Sequence, residues 1–370
     1  MKVRLPLDSS ILDYVAQHGH EQLCFFSDPS SGLRAIVAIH DTTLGPALGG
    51  ARMYPYEKEE DAILDVLRLS EGMSYKAAMA GLPLGGGKCV IVGNPRTDKT
   101  PALFHALGHA VNKLTGRYIT AEDVGTTVED LVEVSRTSDF VAGLPAEMGG
   151  GGDPSPWTAL GVVRGMEACS EAVWGSADLS GKRVAIQGIG KVGYALAEML
   201  HERGATLYVT DVSQRRLEQA ARDLGAFIVG LDEIYSTPCD IFAPCALGAI
   251  LNDVTIPQLT AAIVAGSANN QLEEPRHGAM LVERGILYAP DYVVNAGGLI
   301  NVATELEPAG YDERLARERV LAIYDNVASV VRQARASGLP TSEAADFVAR
   351  QRITAARMSR RQAMTAIEMR

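Results

Sequence analysis

KRVAIQGIGKVGYALAEMLHERGATLYVTDVSQRR, residues 182–216, is the segment that decides the fold of the second half of the chain. An apolar run leads into Gly188, Gly190 and Gly193, a stretch with helical periodicity follows, and a second apolar run ends at Asp211. This order and spacing predict the dinucleotide-binding unit of a doubly wound parallel sheet. A glycine-rich turn in another kind of α/β sheet is the less favoured interpretation.

Each position of this segment has a physical task. The first glycine permits a tight turn, the second lets backbone approach a pyrophosphate, and the third lets the helix pack on the strand. Asp211 can accept ribose hydroxyls, and its charge would repel a 2′-phosphate, so NAD is predicted over NADP. Arg215 and Arg216, close by in sequence, leave NADP open. The predicted cofactor-binding residues here are Gly188, Gly190, Val192, Gly193 and Asp211.

Short apolar runs on both sides of this segment predict further strands. Those downstream end in small or polar residues, as in buried parallel strands whose carboxyl ends face a ligand crevice. Those upstream alternate with helical patterns, so the sequence predicts two α/β domains. The alanine- and arginine-rich C-terminal part is helical by period and suits helices that return to the first domain. The predicted strand regions are residues 33–41, 88–93, 117–123, 239–246, 261–270 and 285–298.

Composition narrows the classes of partner. A formal net charge of -11 repels nucleic acid and anionic membrane surfaces, so neither is expected as a partner. The expected partner is a small molecule. The N-terminus has no signal-peptide pattern and no apolar run is long enough to cross a bilayer, which predicts a cytoplasmic protein. The five cysteines are scattered without metal-ligand spacing, so no metal site is predicted.

A second glycine-rich segment, GLPLGGGKCVIVG at residues 81–93, sets Lys88 behind three consecutive glycines. It is not a P-loop, because no serine or threonine follows Lys88 and the first glycine of that pattern is absent. Lys76, near the end of a helical pattern, and Asp123, at the end of a strand, are the other chemical candidates.

Two lysines and a carboxylate in one cleft would suit an α-amino acid. One ammonium would pair with the substrate carboxylate, and the other, its pKa lowered by burial and by its like-charged neighbour, would serve as a base. The carboxylate would move protons to and from the amine nitrogen. From the residues alone, a surface charge or a structural ion pair is the more common role of each of the three taken singly, and spacing does not overturn it.

Seven segments along the chain carry a more specific pattern. They are IHDTTLGPALGGARM (39–53), SYKAAMAGLPLGGGKCVIVG (74–93), YITAEDVGTTVEDL (118–131), GDPSPWTALGV (152–162), IFAPCALGAILN (241–252), GSANNQLEEPRHG (266–278) and YAPDYVVNAGGLINVA (288–303). In these segments and in their order, the chain resembles the amino acid dehydrogenase family that includes the glutamate, leucine, phenylalanine and valine dehydrogenases. The resemblance covers nearly the whole chain, and the members acting on leucine are the most similar.

The resemblance implies a role for individual residues. Lys88 corresponds to the catalytic lysine that activates water, Asp123 to the proton-transferring aspartate, and Lys76 to the lysine that pairs with the substrate α-carboxylate. The glycines before Lys88 would leave room for substrate. The other implied contacts are Leu48, Gly49, Gly50, Asn295, Leu299 and Val302 on the substrate side, and Thr158 and Asn269 on the cofactor side.

The resemblance also implies an architecture and a reaction. Residues 1–143 would form an α/β substrate-binding and oligomerisation domain, residues 144–336 a Rossmann-type NAD-binding domain, and residues 337–370 helices that pack back on the first domain. The implied reaction is reversible, NAD-dependent oxidative deamination of an L-amino acid to a 2-oxo acid and ammonia. The implied assembly is a homo-oligomer, either a dimer or an octamer.

The substrate side chain is predicted from the residues at the far end of the implied pocket. In relatives acting on glutamate, a lysine stands at the position of Leu48 and a hydroxyl residue at that of Val302. With two aliphatic residues, a second substrate carboxylate would be buried without a partner, at a cost of about several kcal/mol. Leu299 is larger than its counterpart in some phenylalanine-specific relatives and differs from the valine usual in leucine-specific ones.

These differences favour leucine, valine and isoleucine as substrates, since one methylene changes preference by only about 1 to 3 kcal/mol. Two alternatives stay open at this level. The first is an enzyme that acts on phenylalanine or on a broad range of amino acids. The second is a catalytically silent NAD-binding protein, which is disfavoured because all three candidate chemical side chains are present.

Overall fold

The structure, a computed structural model, describes residues 10–368 and divides into two compact units. Within these residues, the first unit comprises the chain up to Gly152, Val302–Asp312 and the chain from Ala349 onward. The second unit comprises Asp153–Asn301 and Glu313–Val348. These bounds differ from the predicted domain limits at residues 143 and 336. The division into domains at those two residues stays a prediction.

Glu305 gives a physical reason for the grouping of Val302–Asp312 with the first unit. Its carboxylate accepts hydrogen bonds from the backbone N–H groups of Gly143 and Gly151, each at 2.8 Å. Burial raises the pKa of this carboxyl, and the backbone donors partly offset the effect. The segment is therefore fastened to the chain that immediately precedes the boundary at Gly152.

The first unit is built on a mixed five-stranded sheet. Its strands are β1 (Gln22–Asp28), β2 (Leu33–Asp41), β3 (Ala47–Tyr54), β4 (Gly85–Val92) and β5 (Tyr118–Glu122). Their order is β1-β2-β4-β3-β5; β2 is antiparallel to both of its neighbours, whereas β3 is parallel to β4 and to β5. The chain thus places β3 between the strands that carry Lys88 and lead into Asp123.

Helices cover both faces of this sheet. They are α1 (Ile11–His18), α2 (Glu59–Met79), α3 (Pro101–Asn112) and α4 (Val128–Ser135). Side chains alternate along β4, so that Val90 packs against α2 while Cys89 and Ile91 pack with Phe104 of α3. The same period of two places Lys88 on the α2 face of the sheet.

Two features of this sheet differ from the sequence-based expectation. Strand β4 begins at Gly85 and not at residue 88, so the three glycines lie within the strand and not before it. Strand β3 was not predicted, because ALGGARMY contains two glycines, which weaken a strand and obscure its pattern.

The second unit contains a parallel sheet, as predicted, and the sheet has six strands. Its strands are β6 (Arg183–Gln187), β7 (Thr206–Thr210), β8 (Phe227–Ile228), β9 (Ile241–Pro244), β10 (Ile263–Val264) and β11 (Leu287–Tyr288). Their order, β11-β10-β9-β6-β7-β8, reverses direction between β6 and β9, which is the doubly wound dinucleotide-binding arrangement. The predicted strand region 285–298 forms a strand only at Leu287–Tyr288, because Pro290 has no N–H to extend the ladder.

Helices α5 to α13 complete the chain. Arg352 of the last helix donates hydrogen bonds to the carbonyls of Ala78 and Met79, at the C-terminal end of α2. Arg357 of the same helix pairs with Asp41. From Ala349 onward, the C-terminal helix thus packs on the first unit, whereas residues 337–348 of the predicted C-terminal segment belong to the second unit. The helices are α5 (Ser155–Trp174), α6 (Lys191–Glu202), α7 (Gln214–Leu224), α8 (Arg276–Glu283), α9 (Asp291–Val294), α10 (Gly297–Thr304), α11 (Glu313–Leu321), α12 (Ile323–Ser337) and α13 (Thr341–Glu368).

Candidate active site

Lys88 and Asp123 form an ion pair in the first unit. Lys88 lies on β4, is only 5% exposed, and places its Nζ 2.9 Å from Oδ2 of Asp123. Asp123 follows β5 directly, and its side chain is 20% exposed. The sequence singled out both residues for chemistry, and the fold brings them into direct contact from strands that are not neighbours in the sheet.

The turn after β5 fixes the backbone of Asp123. The Asp123 N–H donates to Oγ1 of Thr126 at 3.0 Å, and that hydroxyl donates to the Ala51 carbonyl of β3 at 2.9 Å. Gly125 has φ +84°, and a Cβ there would lie 2.0 Å from the Met53 carbonyl oxygen, so only glycine fits. The carboxylate therefore extends toward Lys88 from a backbone that is fastened to β3.

Gly49 and Gly50 allow strand β3 to pack closely against the backbone on each side of it. A Cβ on Gly50 would lie 2.7 Å from Cβ of Asp123 and 2.4 Å from the carbonyl oxygen of Glu122. A Cβ on Gly49 would lie 1.7 Å from the carbonyl oxygen of Gly87 on β4. Since β3 lies between the strands that hold Lys88 and Asp123, side chains here would force the ion pair apart.

The three glycines before Lys88 are packed against protein. A Cβ on Gly85 would lie 2.0 Å from a backbone oxygen of β2, and one on Gly86 would lie 2.1 Å from the backbone nitrogen of Ser74 in α2. A Cβ on Gly87 would lie 2.7 Å from the Tyr118 ring. The expectation that these glycines leave room for substrate is wrong, because helix, strand and ring atoms fill that room.

The ion pair has unusual protonation properties. Burial lowers the pKa of the Lys88 amine, and the adjacent Asp123 carboxylate offsets only part of this effect. Burial acts to raise the pKa of Asp123, but the charges of Lys88 and Arg52 outweigh it and hold that pKa below its usual range. Lys88 is thus poised to lose a proton beside a carboxylate that stays ionised.

Arg52 is a charged neighbour that the sequence analysis missed. Its Nε donates to Oδ2 of Asp123 at 3.0 Å, and its positive charge contributes to the lowered pKa of Lys88. The sequence analysis assigned the role of like-charged neighbour to Lys76. A period of two along β3 places Arg52 on the same face as Gly50, and that signal could have identified it.

The other predicted substrate residues of the first unit lie on three elements. Lys76 is half-buried in the last turn of α2. Leu48 lies on β3 and is 2% exposed, and Val302 lies half-buried on α10. The contacts of these three residues with a substrate stay predictions.

In the second unit, the glycine turn after β6 has room for a ligand. Gly188 has φ +98°, and a Cβ on Gly193 would lie 2.0 Å from the Gly188 carbonyl oxygen, so turn and helix pack closely. Gly190 precedes the first residue of α6, and a Cβ there would meet nothing within 4 Å. Val192, in the first turn of α6, is half-buried. The helix N-terminus thus opens beside free space at Gly190, the environment that a phosphate group requires.

Asp211 is tied to this turn. Its Oδ2 accepts from the N–H of Ile189 and its Oδ1 from the N–H of Ser213, each at 2.8 Å. The Arg216 guanidinium lies 3.9 Å from the same carboxylate. Asp211 therefore links the end of β7 to the glycine turn, which orients it for the predicted contact with ribose.

The remaining predicted residues of the second unit lie on its helices and loops. Asn295, 4% exposed, donates from Nδ2 to Oδ1 of Asn269 at 2.8 Å, so the structure brings these two amides together. Thr158 lies in the first turn of α5, and its Oγ1 donates to the Pro154 carbonyl at 3.1 Å. Leu299 is half-buried on α10.

The glycine turn and Asp211 fit NAD, and the described residues give no sign of a metal centre. The open space at Gly190, the α6 N-terminus and the oriented Asp211 carboxylate match the pyrophosphate and ribose of a dinucleotide. Between residues 10 and 368, the structure contains no cluster of three or more His, Cys, Asp or Glu side chains that could hold a metal ion. In this part of the chain, no helix combines the length and apolarity that a membrane crossing needs.

The chain matches the models of one family of amino acid dehydrogenases and is similar in sequence to proteins of that kind. Residues 20–139 match the family model described as "Glu/Leu/Phe/Val dehydrogenase, dimerisation domain", and residues 149–214 and 208–361 match "Glutamate/Leucine/Phenylalanine/Valine dehydrogenase". The chain is 53% identical over 350 residues to leucine dehydrogenase of Bacillus cereus, covering 95% of each protein. It is 51% identical over 345 residues to phenylalanine dehydrogenase of Bacillus thermotolerans, covering 91% of this chain and 89% of that protein.

A solved structure is similar as well. The crystal structure of L-tryptophan dehydrogenase from Nostoc punctiforme superimposes with a TM-score of 0.85 at 46% identity, covering 94% of this chain and all of that one. Its fold agrees with the two α/β units described above.

Proposed function

This chain belongs to the glutamate/leucine/phenylalanine/valine dehydrogenase family, and from that premise we propose that it oxidises branched-chain L-amino acids with NAD. The products are the 2-oxo acid, ammonia and NADH, and the reaction is reversible. The observation that carries the chemical part of this proposal is the 2.9 Å contact between the buried Lys88 amine and Asp123.

NAD, when bound, supplies the acceptor for the hydride that leaves the substrate Cα. We assign its binding to the glycine turn of Gly188, Gly190 and Gly193, with Asp211 on the adenosine ribose. Val192, Thr158 and Asn269 complete the proposed cofactor contacts.

Lys88 and Asp123 move the protons of the reaction. Loss of hydride and a proton from the amino acid leaves an imine, and water must then add to the imine carbon. Lys88 in its neutral form takes a proton from that water, and burial lowers the pKa of its amine, which favours the neutral form. Asp123, held ionised, accepts a proton from the substrate amine side and returns it to the leaving ammonia.

Other residues hold the substrate in place. The Lys76 ammonium pairs with the α-carboxylate, and backbone at Gly49 and Gly50 lies against the substrate. We assign Asn295 to the substrate amine.

The side chain of the substrate is argued from Leu48 and Val302, with Leu299 as a third aliphatic contact. A carboxylate buried against Leu48 would lack a cationic partner, which costs about several kcal/mol, so glutamate is a poor substrate. Leucine, valine and isoleucine meet no such cost. The 51% identity to a phenylalanine dehydrogenase supports phenylalanine as a second candidate substrate.

A panel of initial rates tests the proposal. NADH formation is measured with L-leucine, L-valine, L-isoleucine, L-phenylalanine and L-glutamate, each with NAD and with NADP. We expect fast reduction of NAD with the three branched amino acids and little with glutamate or with NADP. A rate confined to phenylalanine would transfer the assignment to the second candidate, and a rate with none of the five would contradict the proposed reaction.

We further propose a cytoplasmic homo-oligomer. The part of the proposal with most support is self-association, since residues 20–139 match a family model described as a dimerisation domain. Whether the assembly is a dimer or an octamer is decided by light scattering on the purified protein, and a monomer at assay concentration would contradict the proposal.

A further inference from the structure

We propose that Arg52 is a positioning residue for this reaction: it fixes the Asp123 carboxylate in the orientation that proton exchange with Lys88 requires. Asp65 and Tyr56 in turn fix the Arg52 guanidinium. This inference rests on the proposed function, because it assigns a residue that acts through the catalytic carboxylate.

The geometry forms a continuous chain of hydrogen bonds. Arg52 donates from Nε to Oδ2 of Asp123 at 3.0 Å and from Nη1 to Oδ2 of Asp65 at 3.0 Å. The Tyr56 hydroxyl donates to the same Asp65 oxygen at 2.5 Å. The Arg52 side chain is 22% exposed, and those of Asp123 and Asp65 are 20% and 32% exposed, so the network is largely withdrawn from water.

The elements of the first unit make this arrangement rigid. Arg52 stands on β3, two residues after Gly50, and Asp65 stands on the part of α2 that packs against the sheet. A guanidinium presents Nε and Nη1 in one plane at a fixed angle, so it can bind a carboxylate with each. A lysine carries the charge but has no such fork.

Lys88 and Arg52 share one acceptor atom. Nζ of Lys88 and Nε of Arg52 both point to Oδ2 of Asp123, at 2.9 and 3.0 Å. When Lys88 gives up its proton and its charge, its attraction for that oxygen weakens. Arg52 keeps its charge throughout, so the carboxylate keeps its orientation during the step.

Arg52 also sets the charge balance. Its positive charge favours the ionised form of Asp123 and disfavours the charged form of Lys88, so it lowers the pKa of both. The other charge that acts on Lys88 from α2 is Asp65, which raises the lysine pKa, and burial raises the pKa of Tyr56, so this phenol stays protonated. Removal of Arg52 therefore raises the pKa values of Lys88 and Asp123 together.

A structural tie between β3 and α2 is the competing interpretation of Arg52. Such a tie would affect the free energy of unfolding but not the pH at which the enzyme becomes active. The pH profile of kcat/KM for amino acid oxidation therefore separates the two roles, since it reports ionisations of the free enzyme.

The experiment compares Arg52→Gln, Arg52→Lys and the matched control Arg68→Gln. Arg68 is an exposed cation on the same helix as Asp65, so its removal changes local charge while the hydrogen bonds that join Tyr56, Asp65, Arg52 and Asp123 stay in place. With L-leucine and NAD, we expect Arg52→Gln to lose about a hundredfold in kcat and to shift the limb that reflects Lys88 deprotonation to higher pH by about one unit. Arg52→Lys should keep the limb in place but still lose about tenfold in kcat. Arg68→Gln should match the wild type.

Two further measurements make every outcome decisive. Asp65→Asn leaves Arg52 in place, and we expect a smaller loss of kcat than for Arg52→Gln. If Arg52→Gln does not fold, Asp65→Asn and Arg52→Lys together test the inference. Labelling of the Lys88 amine, followed by mass spectrometry as pH is raised, reports its ionisation without turnover. If no amino acid is oxidised, the proposed reaction fails, but this labelling still tests the inference. An unshifted pH limb and unshifted labelling in Arg52→Gln would overturn it.

Discussion

The two glycine-rich segments of the chain use the missing side chain in opposite ways. At residues 85–87, protein atoms lie within 2.7 Å of each position that a Cβ would occupy. At Gly190 nothing lies within 4 Å of that position. The first segment is glycine-rich because the protein packs against it, and the second contains a glycine that leaves space for a ligand.

This difference separates two ways of building a site. In the first unit, tight packing of β3, β4 and α2 holds Lys88 and Asp123 at 2.9 Å, and we propose that these side chains do the chemistry. In the second unit, the groups that we propose to bind the cofactor are backbone N–H donors at a helix N-terminus beside open space. Substitutions in the two segments should therefore affect different properties.

The largest effect is expected from Asp123→Asn. The amide keeps the shape of the carboxylate but cannot hold a proton, so we expect kcat for L-leucine to fall about 10³-fold. Affinity for NAD, measured by calorimetry, should stay unchanged, since the second unit is untouched. Asp139→Asn, at an exposed position of the same unit, is the control and should match the wild type. A variant at position 123 that keeps a tenth of the wild-type kcat would refute the assignment.

Gly86→Ala tests the packed segment. The new methyl would lie 2.1 Å from the Ser74 backbone nitrogen, so strand and helix must separate, and we expect the free energy of unfolding to fall by about 3 kcal/mol. The measurement is urea unfolding. Gly72→Ala is the matched control. Gly72 lies on α2, the helix that contains Ser74, and a Cβ at Gly72 would meet nothing within 4 Å. That substitution should raise stability by up to about 1 kcal/mol, and equal effects of the two would contradict the comparison.

Gly190→Ala tests the open segment. Gly190 has φ -76°, which alanine adopts without strain, and the methyl meets no protein atom. We expect an unchanged melting temperature and a Kd for NAD that rises about tenfold to a hundredfold, because the methyl occupies the space assigned to the pyrophosphate. An unchanged Kd would mean that the ligand does not approach this glycine.

The smallest effect is expected from a fall in pH, which lowers the free energy of unfolding through a residue of the first unit. Burial lowers the pKa of His40, which lies 2.7 Å from Oγ of Ser74, while Glu71 partly offsets the shift. The unfolded chain thus binds the proton more tightly, so stability is complete above about pH 6.5 and falls below it. We expect His40→Gln to reduce the loss of unfolding free energy between about pH 7.5 and pH 5.5 by up to about 1 kcal/mol. Burial lowers the pKa of the neighbouring His20 in both proteins, and His40 adds to that shift only in the wild type, so the variant should lose less stability; equal losses in urea unfolding would contradict this account.

The second unit was predictable because its signal is local. The strand, glycine turn, helix and second strand between residues 182 and 216 are continuous in sequence, and the structure has them as β6, α6 and β7. The link from Asp211 to Ile189 closes within the same segment. Here periodicity and glycine spacing are enough, because each contact forms between near neighbours in the chain.

The packed site was only partly predictable, because its contacts join distant parts of the chain. Lys88 and Asp123 were found, but Arg52 was not, since its partners Asp65 and Asp123 lie 13 and 71 residues away. Glycines that are required by a neighbouring backbone, such as Gly86, look the same in sequence as glycines that make room for a ligand. Only the positions of the surrounding atoms distinguish the two cases.

The most direct test of the central claim, that Lys88 is the base of an NAD-dependent amino acid dehydrogenase, is the rate of NADH formation from L-leucine by wild type and Lys88→Ala. NAD affinity is measured on the same preparations. The account predicts rapid turnover by the wild type, a loss of about 10⁴-fold in the variant and equal Kd values for NAD. A variant that turns over L-leucine within tenfold of the wild-type rate would contradict it.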